Sequence, residues 1–328
     1  MPDFFRGKRV LITGGAGFIG SSIAHALAPR GARVTILDAM LPLYGGHLFN
    51  LEGIRGGVTF VEGDIRDKEL VDKLVRGKDI IFDLAAQVSH VDAKDFPLLD
   101  LDINLRGHLN VFEAVREHAP LATVLFSSSW MVYGKLPNSP VTENHSANPT
   151  GLYGIHKHVV EQYLRYYAGA FGLRTISVRL TNPYGPRQLM KHGKYSVVGW
   201  FMRQAMEGKA ISIFGDGSQE RDYLYIDDVV DAFLGLAEKG MGGEAYHLGT
   251  RERVRLIDMV DAIIGAVGKG SRQLTPWPEG YEKNETGRYA LDTSKIRAAT
   301  GWEPGVPLAD GIRRMAEYYA KYHDQYWQ

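Results

Sequence analysis

The sequence predicts an α/β protein in which one parallel sheet carries helices on both faces. Short apolar runs of strand length alternate with helix-length stretches through most of the 328 residues, as strands joined by crossover helices do. A glycine-rich turn lies directly between the first such run and the first helix. After Leu180 the pattern changes without a low-complexity linker or an internal repeat. A smaller second unit is therefore expected to interleave with the first and share a cleft with it, at the carboxyl ends of the strands.

The first strand is expected at 10–12, where Val10, Leu11 and Ile12 are apolar on both faces, as in a buried parallel strand. A helix over 21–30 follows, ended by Gly31. Further strands are expected at 34–37, 58–61, 80–84, 123–127, 175–180 and 245–248, with helices at 104–117 and 153–171. Beyond Leu180 come turns, a helix over 197–207, the turn Gly215-Asp216-Gly217 and a helix over 227–239. From Leu256 onward, short helices flank a loop over 275–287 rich in Pro, Glu and Lys.

Composition narrows the function. Lys and Arg total 38 and so do Asp and Glu, so the basic excess of a nucleic-acid partner is missing. With 45% apolar and 23% charged residues the chain can bury a large core. Cysteine is absent, which excludes disulfide scaffolds, thiol nucleophiles and Cys-ligated zinc and suits a reducing compartment. No His/Asp/Glu cluster has metal-ligand spacing, so no metal is expected. The N-terminal residues lack a leader-like apolar block, and no apolar run approaches the ~18 residues of a membrane span. A cytoplasmic protein without a membrane partner is the expectation.

Thr13-Gly14-Gly15-Ala16-Gly17-Phe18-Ile19-Gly20 joins the first strand to the first helix. Gly14 and Gly17 let the backbone turn and approach a pyrophosphate, and Gly20 lets the helix pack on the sheet. Phe18 and Ile19 open that helix, whose N-terminus favours an anion. Asp38 ends the second strand, 18 residues after Gly20, where a carboxylate accepts from ribose hydroxyls and repels a 2′-phosphate. A Rossmann site for NAD, not NADP, follows. Asp64 and Ile65 come after the third strand, where the carboxylate can meet the adenine amino group or simply cap a helix. Leu84-Ala85-Ala86-Gln87 ends the fourth strand with small residues, letting a cofactor lie against the backbone. The expected division is 1–181 with about 226–250 for NAD, and 182–225 with 251–328 for the substrate.

Of 17 tyrosines, Tyr153 alone has a lysine four residues on, Lys157, which puts the two on one helix face. A phenol of pKa about 10 is a poor base at neutral pH. A nearby ammonium and an oxidised nicotinamide would favour the phenolate. At the end of the fifth strand, Ser127-Ser128-Ser129-Trp130-Met131 offers a hydroxyl to share the substrate proton.

These pieces, with Asn182-Pro183-Tyr184-Gly185-Pro186-Arg187, Arg221-Asp222-Tyr223 and Tyr289-Ala290-Leu291-Asp292, resemble the extended short-chain dehydrogenase/reductases. More narrowly, the chain looks like the NAD-dependent nucleotide-sugar epimerase/dehydratase family. The resemblance implies Tyr153 as acid/base, with Lys157 orienting the nicotinamide ribose. It implies Ser129 as proton partner, with Ser128 the fallback. Asn182 is implied at the sugar or its phosphate and Arg221 at the pyrophosphate, with Tyr225 and Tyr289 as further contacts or core residues. A homodimer formed by the helices at 104–117 and 153–171 is also implied.

Relatives that dehydrate carry Asp-Glu directly after the Ser/Thr, and decarboxylating ones carry Glu there. Trp130 and Met131 stand in those places and cannot transfer a proton. Epimerisation at C4 through a transient 4-keto sugar needs the fewest groups and is the expected reaction. Epimerisation at another carbon, dehydration, and a non-catalytic NAD-binding regulator remain alternatives. One departure stands out: Glu282 occupies the place of a phosphate-binding Arg in UDP-sugar epimerases, so either Arg288, Lys283 or Arg272 assists Arg221 or the substrate differs from a standard UDP-hexose. His156 is expected to face solvent or a partner, and His90 to lie near the cleft.

Overall fold

The structure, a computed structural model, describes residues 3–42, 44–135, 140–193, 196–278 and 290–327. Seven strands form the central sheet: β1 (Arg9–Thr13), β2 (Arg33–Asp38), β3 (Val58–Glu62), β4 (Ile80–Asp83), β5 (Thr123–Ser129), β6 (Arg174–Leu180) and, later in the chain, β11 (Glu244–Leu248). All pair in parallel, in the order β11-β6-β5-β4-β1-β2-β3. Each corresponds to one of the apolar runs.

Neighbouring residues of a strand point to opposite faces, and in the central strands both faces are buried. Val10, Ile12, Ile80, Phe82 and Leu125 enter one core, while Leu11, Ile81, Val124 and Phe126 enter the other. The first core is closed by α1 (Phe18–Leu27), α8 (Ile226–Lys239) and α11 (Leu308–Tyr326). The second is closed by α2 (Lys68–Val75), α5 (His108–His118) and α6 (Leu152–Phe171).

Between β4 and α5 lie α3 (His90–Asp95), α4 (Pro97–Leu101) and a π-helical stretch, Asp102–Gly107. The helix expected at 104–117 thus starts earlier and carries a wider turn where its apolar pattern offered no break. After β6 the chain makes β7 (Asn182–Tyr184), α7 (Val197–Met206), β8 (Ala210–Phe214), β9 (Glu220–Arg221) and β10 (Tyr223–Tyr225), then returns through α8 to β11. It continues with β12 (Val254–Arg255), α9 (Leu256–Val267), β13 (Ser271–Thr275), α10 (Ser294–Thr300) and α11. β13 pairs with β8, β10 with β7 and β12 with β9, pairings that the apolar pattern did not announce.

Two helical expectations need correction. The first helix begins at Phe18, not 21, because the last glycine of the turn is already helical. The C-terminal helices are not all short: α11 runs 19 residues, its apolar stripe disguised by tyrosines that pack in the core.

Candidate active site

The strand order reverses between β1 and β4, and a cleft of about 650 Å³ opens there along the carboxyl ends of the sheet. Gly14, Gly17, Phe18, Ile19, Gly20, Asp38, Asp64, Ile65, Leu84, Ala85 and Ala86 line one end. Ser128, Ser129, Trp130, Met131, Tyr153 and Lys157 line the middle, and Asn182, Phe214, Arg221 and Trp277 the other end.

The glycine turn is shaped by contact. Gly14 has φ +64, and a Cβ there would lie 2.9 Å from the Ala85 Cα. A Cβ on Gly20 would come within 2.4 Å of the Gly14 oxygen. Only glycine lets β1, β4 and α1 meet this closely. The N-cap of α1, Gly17, has no capping side chain, so the N–H groups of its first turn are available to an anion. Thr13 pins the neighbouring strand ends. Its Oγ1 donates to Asp83 Oδ1 (2.8 Å) and accepts from the N–H groups of Leu84 (3.0 Å) and Ala85 (3.1 Å). Asp83 also meets His108 Nδ1 at 2.7 Å, with both side chains wholly buried. Sequence reasoning missed this triad, whose one signal is a carboxylate inside an apolar strand.

The Asp38 carboxylate accepts from the N–H groups of Ala16 and Met40, each at 3.0 Å. Burial pushes its pKa up against those bonds. Among the described lining residues the two cations, Lys157 and Arg221, sit on α6 and β9, away from the Asp38 segment. A backbone cradle for a pyrophosphate with a carboxylate beyond it suits a dinucleotide without a 2′-phosphate. Asp64 is bridged by both ends of the Arg66 guanidinium (2.6 and 3.0 Å). Burial alone would raise its pKa, but Arg66 holds it below the ordinary carboxylate range.

Tyr153 and Lys157 open α6 and face the cleft together, the Lys157 Nζ lying 5.6 Å from the Tyr153 ring centroid. That ammonium donates to the Ser127 carbonyl at 2.7 Å. Burial pushes it down to about 8, against Asp83, Asp100 and Glu161. In the chain alone the Tyr153 phenol is pushed up, first by burial and then by Asp100. The expected lowering by Lys157 does not appear there, because burial outweighs an ammonium already bonded to a carbonyl.

Three expected site residues have side chains held elsewhere, and Tyr225 takes the core place left open for it. The Ser128 hydroxyl donates to Glu161 Oε1 at 2.5 Å. Glu161 is in turn held by Arg179 through two bonds of 2.9 and 2.6 Å. Adjacent strand residues alternate faces, so Ser129 is left to the cleft; its Oγ accepts from the Met131 N–H at 3.2 Å. Gln87 is 1% exposed and off the cleft wall, because Asn104 binds both its N–H and its carbonyl. Tyr225 is a core residue, stacked edge-on to Tyr184 at 5.6 Å. Arg272 pairs with Asp261 at 2.6 Å on the surface, away from the cleft. His156 is likewise buried, not solvent-facing, its Nδ1 2.5 Å from Asp100 Oδ2. Glu282, Lys283, Arg288 and Tyr289 lie outside the described residues, as does the side chain of His90.

At the far end, Asn182 Nδ2 donates to the Asp222 carbonyl at 2.9 Å. The Asp222 carboxylate binds the Thr250 N–H and hydroxyl (2.9 and 2.8 Å), and burial pushes it up to about 6. It ties the strip carrying Arg221 to the loop after β11. The Arg221 Nη1 donates to the Glu220 carbonyl at 2.8 Å. Phe214 and Trp277, whose rings are 5.8 Å apart, make an aromatic corner. No spacing announced that corner, since its two residues are 63 positions apart. Among the described residues no group of acidic or histidine side chains is arranged to hold a metal.

A profile of the NAD dependent epimerase/dehydratase family matches residues 10–249. The UDP-glucose 4-epimerase of Mycolicibacterium smegmatis is 36% identical over 316 residues, 95% of this chain and 98% of that protein. The dTDP-glucose 4,6-dehydratase of Streptomyces niveus is 31% identical over 95% of this chain and 92% of its own length. The crystal structure of the Thermotoga maritima UDP-glucose 4-epimerase with UDP-glucose superposes with a TM-score of 0.88 at 32% identity. It covers 96% of this chain and 99% of that one.

Proposed function

The chain belongs to the NAD dependent epimerase/dehydratase family, and we propose that within it the protein interconverts a nucleotide-diphosphate sugar, a UDP-hexose first of all, with its 4-epimer. One observation carries this reading. Tyr153 and Ser129 share the middle of the cleft with Trp130 and Met131, a site with one proton-transfer pair and none in the two places that elimination would use.

Bound NAD would supply a reversible acceptor for the C4 hydride. The glycine turn and the first turn of α1 would hold its pyrophosphate, Asp38 its adenosine ribose, Asp64 and Ile65 its adenine, and Leu84 to Ala86 its nicotinamide half. Tyr153 takes the proton of the sugar 4-hydroxyl and later gives it back. Ser129 shares that proton, while Lys157 together with an oxidised nicotinamide would favour the phenolate, and Lys157 would orient the nicotinamide ribose. Arg221 clamps the pyrophosphate with its planar fork, Asn182 reaches the sugar or its phosphate, and Phe214 and Trp277 wall the base. Arg288 and Tyr289 are proposed as further substrate contacts. The division into an NAD unit (1–181 with about 226–250) and a nucleotide-sugar unit (182–225 with 251–328) follows the same assignment.

A homodimer is part of the proposal. Leu98 and Leu101 on α4, with Ile155, Tyr163 and Tyr166 on α6, leave an exposed apolar surface that a second copy would cover. No helix among the described residues is long and apolar enough to cross a membrane. A reducing cytoplasm is proposed as its compartment, in keeping with a chain that has no cysteine. Incubation with UDP-, dTDP-, GDP- and CDP-sugars, followed by NMR of the products, tests the reaction. A 4-epimer formed without net redox change is expected; accumulation of a 4-keto-6-deoxy sugar would refute it.

A further inference from the structure

Gln87 and His156, two residues the sequence places wrongly, belong to one buried chain of hydrogen bonds. The Gln87 N–H donates to Asn104 Oδ1 at 3.0 Å, and Asn104 Nδ2 donates to the Gln87 carbonyl (2.7 Å) and to Asp100 Oδ1 (2.8 Å). The other Asp100 oxygen meets His156 Nδ1 at 2.5 Å. All four residues are more than nine-tenths buried. The chain runs from the loop after β4, beside the wall at Leu84 to Ala86, across α4 and the π-helical stretch to the first turns of α6. π-helical turns of this kind often mark functional positions.

Amides alone could link these elements. Asp100 instead brings a carboxylate into the interior, which is costly unless another group compensates it. His156 supplies the compensation from a position three residues after Tyr153 and one before Lys157, on the turn that holds the reacting centre. We propose that Asp100 and His156 are a positioning pair for Tyr153: they lock α6 against α4 and hold a buried carboxylate, bonded to the imidazole, behind the turn that carries the phenol.

This inference rests on the reading of Tyr153 as the acid/base. Asp100 is the one charged group that acts with burial to push that phenol up. Among the described residues, the other titratable or charged groups around this turn include Lys157 on α6, Asp83 at the end of β4, Glu161 further along α6 with His158 beside it, and Tyr44, Asp92 and Arg66, whose fields overlap that of Asp100. An Asp100 carboxylate without His156 would keep Tyr153 protonated where the reaction needs a base.

The test compares His156→Gln with the double variant Asp100→Asn/His156→Gln. Their difference is the Asp100 charge, whatever the protonation of the imidazole. Two readouts apply: kcat against pH with UDP-glucose, and the ultraviolet phenolate band titrated against a Tyr153→Phe blank. The acidic limb and the Tyr153 titration are both expected about one unit higher in His156→Gln than in the double variant, with the KM for nucleotide sugar unchanged. Coincident limbs and titrations, or a loss of kcat equal at every pH, would overturn the proposal. Should His156→Gln not fold, His156→Arg against Asp100→Asn/His156→Arg carries the same expectation and the same refutation. A Tyr153→Phe protein that turns over normally would sink the acid/base assignment itself. An inactive Tyr153→Phe with coincident limbs would sink the pair alone.

Discussion

The two ends of the cleft are built in opposite ways. At the cofactor end, much of the wall sits at or just past the strand ends: Gly14 after β1, Asp38 closing β2, Asp64 after β3, Leu84 after β4. Backbone approach sets this end, as the 2.9 Å and 2.4 Å Cβ contacts at Gly14 and Gly20 demonstrate. The opposite end gathers Asn182, Phe214, Arg221 and Trp277 from strands and turns spread over nearly a hundred residues. Close backbone contact admits few residue types and leaves a contiguous motif. A wall of side chains admits many solutions and leaves no fixed spacing.

The contrast can be broken by substitution, and the middle of the cleft should respond most. Tyr153→Phe is expected to lower kcat by about 10³-fold or more while NAD stays bound, since it removes only the proton-transfer oxygen. Turnover and cofactor content of the purified variant would check this. Next comes the backbone end. Gly14→Ala places a methyl against Ala85 in a backbone region that L-residues avoid, and should weaken NAD binding by about 10–100-fold. Calorimetric titration with NAD would measure it, and an unchanged affinity would mean that the turn does not contact the cofactor.

The side-chain end should be more forgiving. Arg221→Lys keeps the charge but loses the fork, so a KM about tenfold higher at nearly constant kcat is expected from steady-state kinetics. The smallest effect concerns stability. Burial lowers the Lys157 pKa to about 8 in the fold, so from roughly pH 8 to 10.5 the unfolded chain binds more protons and stability rises with pH. The burial cost is fully present below pH 8. Lys157→Met should therefore gain about 1–2 kcal/mol at neutral pH while losing activity, as denaturant titrations at pH 7 and pH 10 would show.

The strands of the sheet were legible as short apolar stretches, clearest at β1 and β4, where both faces are buried; the edge strand β3 showed through its Val and Phe residues although none of it is fully buried. The glycine turn, Asp38, Tyr153 and Lys157 were legible because their chemistry fixes spacing as well as identity. The two-to-five-residue pairings β7–β10, β9–β12 and β8–β13 were not, because tertiary partners and not periodicity make them strands. Side-chain direction was the other blind spot. Ser128 and Ser129 are neighbours of one type, and only the Glu161–Arg179 pair decides which hydroxyl faces the cleft. His156 looked like a surface residue because its partner, Asp100, lies 56 positions upstream on another helix.

The central claim is that the hydride taken from C4 returns to C4. It is tested most directly with UDP-galactose deuterated at C4, its products followed by NMR and mass spectrometry. UDP-glucose with the label retained at C4 is the expected product. Label found at C6 of a 4-keto-6-deoxy sugar would contradict it and identify the protein as a dehydratase.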